Sequence, residues 1–256
     1  MNLTYVPVKI ARSIVLLVTS PVESSLRTQV SGWLLRRVEH ADQVAFAAWD
    51  GDEPRLETAD GALTVNSAAA LCAWLAGSNE LPVGETWEFP LACSGDSFAL
   101  NCSVTRVSNC ALVTVTMPQP EIASVPVGGQ TLTVIRYPGV SHVIVPAGEM
   151  ERTGAPAVLQ SLGRTLAAPR TGLLFWNEGA RLLDPLLMSR GAGSPVWCQS
   201  SGSAAGALGA YLAGRLGDTV SVKMPGGAMA VTRSGDAVTV TAAAEVGGKR
   251  TVELVF

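Results

Sequence analysis

Residues 189–214 read SRGAGSPVWCQSSGSAAGALGAYLAG, a stretch in which one cysteine stands directly before a run of Ser, Gly and Ala. From Ser200 the spacing of Ala204, Leu208, Tyr211 and Leu212 follows a helical period, and the small residues between them let another backbone approach closely. A helix starting there aims its unpaired N–H groups, and the positive end of its dipole, at the Cys198 sulfur. That arrangement lowers a thiol pKa and holds an anionic group, which makes Cys198 the first candidate for a reactive thiol. The competing reading is an inert cysteine packed in a core.

The stretch has a counterpart earlier in the chain. Residues 70–77, ALCAWLAG, match residues 207–214, ALGAYLAG, each in an alanine-rich helix preceded by short polar residues. The chain therefore reads as internally duplicated. The first of these helices is expected to begin near Asn66 and Ser67, after the turn Ala59-Asp60-Gly61 and a strand-like Ala62 to Val65. Two such helices meeting start to start form a cleft with a positive dipole end on each wall.

The remaining elements follow from periodicity. Leu3 to Lys9, Ser13 to Val18 and Val44 to Trp49 read as strands, and Glu23 to Glu39 as an amphipathic helix with Val30, Trp33, Leu34 and Val38 on one side. Asp50 to Pro54 reads as a turn, and Arg55 to Thr58 as a short extended piece. Thr86 to Thr116 alternates around Ser94-Gly95-Asp96 and Ser108-Asn109, as an antiparallel meander does, and Pro118-Gln119-Pro120 reads as a linker. Beyond it come strands Thr131 to Tyr137 and Ser141 to Val145, a helix Ala155 to Leu166, and strands Gly172 to Trp176 and Leu182 to Met188. After the second central helix come strands around Ser221, at Ala228 to Thr232, at Ala237 to Ala243 and at Thr251 to Phe256.

Composition excludes several classes. With 48% hydrophobic and 15% charged residues the 256-residue chain is globular, with material for one large or two medium domains. A net charge of −3 and the lack of Lys/Arg runs interleaved with aromatics argue against nucleic acid as a partner. The basic pair Arg36-Arg37 reads as a solvated helix end. The five cysteines, at 72, 93, 102, 110 and 198, include no CxxC pair, so neither a zinc site nor a disulfide framework is expected. That usage and the absence of a signal-like N-terminus fit a cytoplasmic protein. The uncharged run from Gly191 to Gly214 has the length of a membrane span, and Gly202-x-x-x-Gly206 the form of a dimerisation motif. Its Ser, Gly, Gln and Pro content reads instead as a buried helix, with no membrane partner.

Five short motifs in order resemble diaminopimelate epimerase and its relatives. They are Asp42-Gln43 before Val44 to Ala48, Ala59-Asp60-Gly61 six residues before Ser67, His142, Arg190-Gly191-Ala192-Gly193 followed by Cys198, and Met224-Pro225-Gly226-Gly227. The resemblance spans almost the whole chain. It implies an α+β fold of the diaminopimelate epimerase type, with two pseudo-symmetric domains, each a curved and mostly antiparallel sheet wrapped round a central helix. The domains are residues 1–118 with the C-terminal strand 249–256, and residues 119–248. It also implies catalysis without a cofactor or metal, a small-molecule substrate bearing a carboxylate, and a monomer or homodimer.

The same resemblance assigns roles. Cys198 is the catalytic thiol on one wall, and Ser67 stands where the family carries its other catalytic cysteine. The substrate-binding positions become Gln43, Thr58, Ala68, Ala69, His142, Thr171, Arg190, Gln199 and Ser200. The family's pocket asparagines fall on Arg12, Thr58, Val140 and Thr171, and only Gln43 and Arg190 survive from its binding set, so diaminopimelate itself is not the expected substrate. Cys72, five residues past Ser67, belongs to the core. His142 reads as a hydrogen-bonded structural histidine, a proton relay or a substrate contact. Arg190 reads as a carboxylate anchor or a structural ion pair, and Trp197 as a residue narrowing the cleft or packing a core.

Three functions are compatible with these residues. The first is a racemase or epimerase acting at the Cα–H of a small amino or imino acid, with Cys198 and Ser67 on opposite faces. The second is a lyase or bond-shifting isomerase of the same fold in which Cys198 is the single base. The third is a binding protein that has lost catalysis.

Overall fold

Strand β1 (Asn2–Ile10) forms a hairpin with β2 (Ser13–Val18), after which a 3-10 turn leads into α1 (Arg27–Arg37) and the chain returns as β3 (Ala41–Asp50) and β4 (Glu53–Glu57). Helix α2 (Val65–Ser78) precedes the meander β5 (Thr86–Cys93), β6 (Phe98–Val107) and β7 (Cys110–Thr116). Then come β8 (Glu121–Val127), β9 (Gln130–Tyr137), β10 (Val140–Pro146), α3 (Ala155–Leu166), β11 (Arg170–Asn177) and β12 (Leu182–Ser189). A two-residue β13 (Val196–Trp197) leads to α4 (Gly202–Leu212), and β14 (Thr219–Met224), β15 (Gly227–Ser234), β16 (Ala237–Val246) and β17 (Arg250–Glu253) complete the chain. The computed structural model describes residues 1–93, 98–127, 129–190, 194–212, 215 and 217–254.

All the strands belong to one mixed sheet that closes on itself in part, giving a barrel-like α+β fold. Strand β1 pairs antiparallel with β2, β2 parallel with β3, β3 antiparallel with β4 and β4 parallel with β5. The meander then runs antiparallel to β7, β7 pairs with β16, and β16 returns to β1 through Val8↔Val246. That ring closes around α2, which packs against strands on all sides of it. In the other half, β9–β10, β10–β11, β11–β12 and β12–β14 repeat the alternation antiparallel, parallel, antiparallel, parallel, and β14–β15–β16 is again antiparallel. Helix α4 lies against β9, β10, β15 and β16.

The two helices can be central because they are made of small apolar residues. Along α2, 65–73 is buried without a break, and in α4 only Tyr211 is not fully buried. A Cβ on Gly206 would lie 2.8 Å from the Met117 side chain, and one on Gly209 would lie 2.5 Å from Val231 Cγ1. The other two helices are outer layers with one apolar stripe each. Helix α3 buries Ala155, Leu159 and Leu162 on β11 and β12, and α1 buries Val30 and Leu34 on β3. Strands covered on both faces lose their alternation, which is why β2 reads SIVLLV and β10 is buried over its first six residues. By contrast β14 alternates strictly between exposed and buried.

Several expectations shift in detail. Ala62 to Thr64 form no strand: Leu63 N–H bonds Pro138 O at 2.9 Å, a Cβ on Gly139 would come within 2.6 Å of Ala62 Cα, and Val65 already opens α2. The turn at 50–54 is tighter than expected, with β3 running to Asp50 and β4 starting at Glu53 around Gly51 (φ +58°). Strand β8, with Pro126 and mostly exposed or half-buried residues, gives no apolar alternation and was not anticipated. The turn Ser94-Gly95-Asp96 lies outside the described residues, as do Gly191, Ala192 and Gly193. At the C-terminus, Arg250–Glu253 pairs antiparallel with β1 (Asn2↔Glu253).

Where the helices meet, Gly202 is pressed against α2: an added Cβ would stand 2.5 Å from Val65 Cγ1 and 3.1 Å from Asn66 Oδ1. Gly202→Ala is therefore expected to cost about 1–3 kcal/mol, as overpacking of a tight interior does. Urea unfolding measures this, and a midpoint unchanged from wild type would show that the helix starts have room to separate.

Candidate active site

The two helix starts are joined by one side chain. Asn66, the second residue of α2 and 1% exposed, accepts the Gly202 N–H on Oδ1 at 2.9 Å and donates Nδ2 to Ser200 O at 3.3 Å. Ser200 is buried and extends the junction to the β1–β2 hairpin: its Oγ donates to Ile10 O (3.0 Å), and its carbonyl also accepts Ser13 Oγ (3.1 Å). The exposed Gln199 accepts Gly226 N–H through its carbonyl at 2.7 Å, which fixes the glycine turn 226–227 beside the junction.

Ser67 is the third residue of α2, buried, with Oγ donating to Gln43 Oε1 on β3 at 3.3 Å. Thr64, the residue before the helix, provides no side-chain cap. Ala68 N–H makes the first intrahelical bond, to Thr64 O at 3.1 Å, and Ala69 lies deeper in the buried helix. Among the described residues the N–H groups of Val65, Asn66 and Ser67 have no hydrogen-bond acceptor, so the anion-receptive amides come before Ala68 and Ala69.

Cys198 is half-buried, its N–H on Pro185 O at 2.9 Å and its Sγ 3.6 Å from Val196 O. Its thiol does not behave as the sequence suggests. Burial pushes it up to about 12, the nearby Asp42 carboxylate adds to the rise, and the Arg170 guanidinium and Leu187 N–H oppose it. The physical reason is the helix start. Helix α4 begins at Gly202, four residues past the thiol, and three N–H groups at its start are occupied: Ser201 by Met224 Sδ, Gly202 by Asn66, and Ala204 by Ser201 Oγ, which leaves the Ser203 N–H without an acceptor among the described residues. Most of the amides that lower a thiol pKa are therefore not directed at Sγ, and Cys198 rests as a neutral thiol.

The other expected residues divide into those near this junction and those away from it. His142 on β10 is fully buried, shares a 3.2 Å hydrogen bond between Nε2 and Ser203 Oγ in the first turn of α4, and is lowered to about 3 by burial and by Arg170. It is neutral at physiological pH, and its Nδ1 has no partner among the described residues. Thr171 on β11 is buried with an unpartnered Oγ1, and Thr58 bonds Ala62 O at 3.4 Å in the loop leading to α2. Arg190 is exposed just beyond β12, held by its own N–H on Pro169 O (2.7 Å). Trp197 packs in the outer core 5.5 Å from the Phe175 ring and under the Arg152 guanidinium at 3.9 Å, so it fills that core. Cys72 is in the barrel core beside Cys102, which raises its pKa together with burial.

Sequence reasoning missed two residues that organise this region. Asn66 was legible as a polar residue at the start of an alanine-rich helix, but nothing in the sequence showed that it caps the other helix. Arg170 opens β11 and bonds Asp60 Oδ2 at 2.7 Å with Nη2, while its buried Nε has no partner among the described residues. Its partner is 110 residues away in the chain, so no local pattern could reveal it. Asp42, which accepts Ile14 N–H at 2.7 Å, is raised by burial of its carboxyl.

The larger cavities among those described lie elsewhere, around the far end of α2 at Trp74 and Leu75. Among the described residues there is no group of three metal-ligating side chains, and no helix is long and apolar enough to cross a membrane.

Comparison with known proteins fixes the class. The model of the histidine racemase CntK N-terminal domain matches residues 2–253, and the chain belongs to that family. It is a cofactor-independent isomerase of the racemase and epimerase type. No curated protein sequence matches it. Among solved structures, a probable proline racemase from Agrobacterium radiobacter K84 with bound carbonate superposes with a TM-score of 0.72 at 15% identity, covering 99% of this chain and 93% of that one. A hydroxyproline epimerase from Agrobacterium vitis with bound trans-4-hydroxy-L-proline gives 0.70 at 14% identity, with 98% and 92% covered. A phenazine biosynthesis protein of the PhzF family from Enterococcus faecalis gives 0.64 at 13%, with 99% and 100% covered. At these identities the likeness is one of fold.

The raised thiol has a direct consequence. Because the neutral form persists above the pH at which a free cysteine ionises, the rate of Cys198 alkylation by iodoacetamide should climb about tenfold per pH unit from pH 7 to 10 without levelling. Peptide mass spectrometry follows it, and a plateau below about pH 9 would mean that the fold stabilises the thiolate after all.

Proposed function

We propose that this protein inverts the Cα centre of an amino acid by acid/base chemistry between Cys198 and Ser67, with histidine the first substrate to test. The reading is supported chiefly by the junction of the two helix starts through Asn66, the neighbour of Ser67, which bonds Ser200 and Gly202 shortly after Cys198 in the chain. The substrate's carboxylate binds the open N–H groups of Val65 to Ser67, with the unpartnered Nε of Arg170 as the charged contact. As the Cα proton leaves, charge passes into that carboxylate, where the helix start stabilises it. An α-ammonium placed near Asp42 offsets the charge that opposes a Cys198 thiolate, so the thiol gives its proton to solvent on substrate binding and the thiolate takes the Cα proton. Ser67 Oγ delivers its proton to the opposite face of Cα and is reprotonated from solvent, and the Cα proton on Cys198 is returned to solvent. The choice of histidine rests on the name of the matching family.

The finer parts of the resemblance belong to the same proposal. The diaminopimelate epimerase-like halves are residues 1–118 with strand 249–256, and residues 119–248, and the cleft lies between them. The repeated order of strand pairings supports this division. Ser67 takes the place of that family's first thiol, and a hydroxyl is a much weaker acid than a thiol.

Incubation with L-histidine in D2O tests the reading. The expected result is D-histidine carrying deuterium at Cα, lost in Cys198→Ala. Ser67→Cys should raise inversion relative to exchange with retention, within the roughly 10²–10⁴-fold range of a positioned general acid. Exchange without inversion, unchanged in Ser67→Cys, would instead mark Cys198 as the single base of a lyase or bond-shifting isomerase. No exchange with histidine, or full activity in Cys198→Ala, would overturn the proposal.

A further inference from the structure

At the end of α2 remote from the helix starts, the tip of the β3–β4 hairpin, the last turn of the helix and the first half of β5 enclose a cavity of about 470 Å³. Asn79 follows Ser67 by twelve residues, so the cavity lies roughly 18 Å along the helix from the candidate active site. Aromatic residues are only 5% of the chain, yet Trp49, Trp87 and Phe89 all line this one cleft. Trp49 is 50% exposed, and its ring is buttressed by Trp74 at a centroid distance of 6.5 Å. A half-exposed tryptophan held in place by a second aromatic ring offers a fixed π-face to a ligand.

The charge around these rings has one sign. Asp52 and Glu88 line the cleft, and no lysine or arginine does; Glu88 alternates with Trp87 and Phe89 along β5 and points its side chain to the other face of the strand, so Asp52 is the carboxylate beside the rings. The neighbouring Asp50 is paired with Arg55 at 3.3 Å, whereas Asp52 and Glu88 have no ion-pair partner among the described residues. The end of α2 adds little, because the carbonyls of Leu75, Ala76 and Gly77 are taken by Asn79, Leu81 and Glu80. Aromatic faces and an unpaired carboxylate favour a positive charge. The volume is that of a small-molecule cleft.

We propose that this cleft binds a small organic cation with an ammonium or guanidinium head, held between the Trp49 and Trp87 rings and neutralised by Asp52. The site is separate from the isomerase centre and fills independently of it.

Choline is the probe, titrated at constant ionic strength while the tryptophan indole N–H resonances are followed by ¹H–¹⁵N NMR. Its neutral isostere 3,3-dimethyl-1-butanol is the control. Saturable choline-dependent shifts are expected at Trp49 and Trp87, with the isostere binding several-fold more weakly. Trp49→Ala and Asp52→Asn should each weaken choline by roughly 2- to 30-fold, and Cys198→Ala should leave it unchanged. Equal binding of the isostere, insensitivity to both Trp49→Ala and Asp52→Asn, or loss of binding in Cys198→Ala would overturn the proposal. So would a concentration-dependent dimer that Trp49→Glu dissociates, since the face would then be covered by a second copy of the chain.

Discussion

The side chain of Asn66 carries the constraint on which the rest of the site depends. It lies between the carbonyl of Ser200 and the N–H of Gly202, and so ties the start of one central helix to the start of the other. Both groups are buried; the Ser200 carbonyl also holds Ser13 Oγ, so loss of Asn66 leaves the Gly202 N–H unpaired, a desolvation penalty of about 1–3 kcal/mol. The contact also divides labour between the helices. By capping α4, Asn66 takes up the first N–H of that helix, while the first amides of α2 stay open.

That division accounts for the behaviour of Cys198. A thiol followed closely by a helix start has its thiolate stabilised only if the amides of that start face it. Here they are turned to Asn66, Met224 and Ser201, and burial prevails. The charges that modulate the thiol, Asp42 and Arg170, come from β3 and β11, strands 120 or more residues apart in the chain. Arg170 in turn is held by Asp60 from the loop entering α2. The closed ring of strands about α2, and the paired strands about α4, keep these distant contributors in register.

Much of the fold was legible because its local rules are strong. The apolar stripes of α1 and α3, the alternation of β14 to β16 and the matched segments 70–77 and 207–214 all point to the elements observed. Strand β8 was not, because its burial is irregular and Pro126 interrupts it. Ala62 to Thr64 look extended by composition but are fixed by Pro138 and Gly139, which no local pattern can show. Of the candidate residues named from the sequence, Ser67 bonds Gln43, and Ser200, two residues past Cys198, bonds Asn66. The direction of the Cys198 shift was not legible, because it depends on which groups occupy amides three to six residues away. Arg190, expected as a carboxylate anchor or a structural ion pair, is exposed, while the half-buried Arg170 lies near the thiol.

Hydrogen exchange at the Gly202 amide tests the central claim most directly. In the wild type this amide should exchange slowly, as a buried N–H bonded to Asn66 must. In Asn66→Ala it should lose most of its protection while the interior amides of α4, such as Leu208, keep theirs. Unchanged protection of Gly202 in the variant would contradict the account, because the helix starts would then be held together by something other than this side chain.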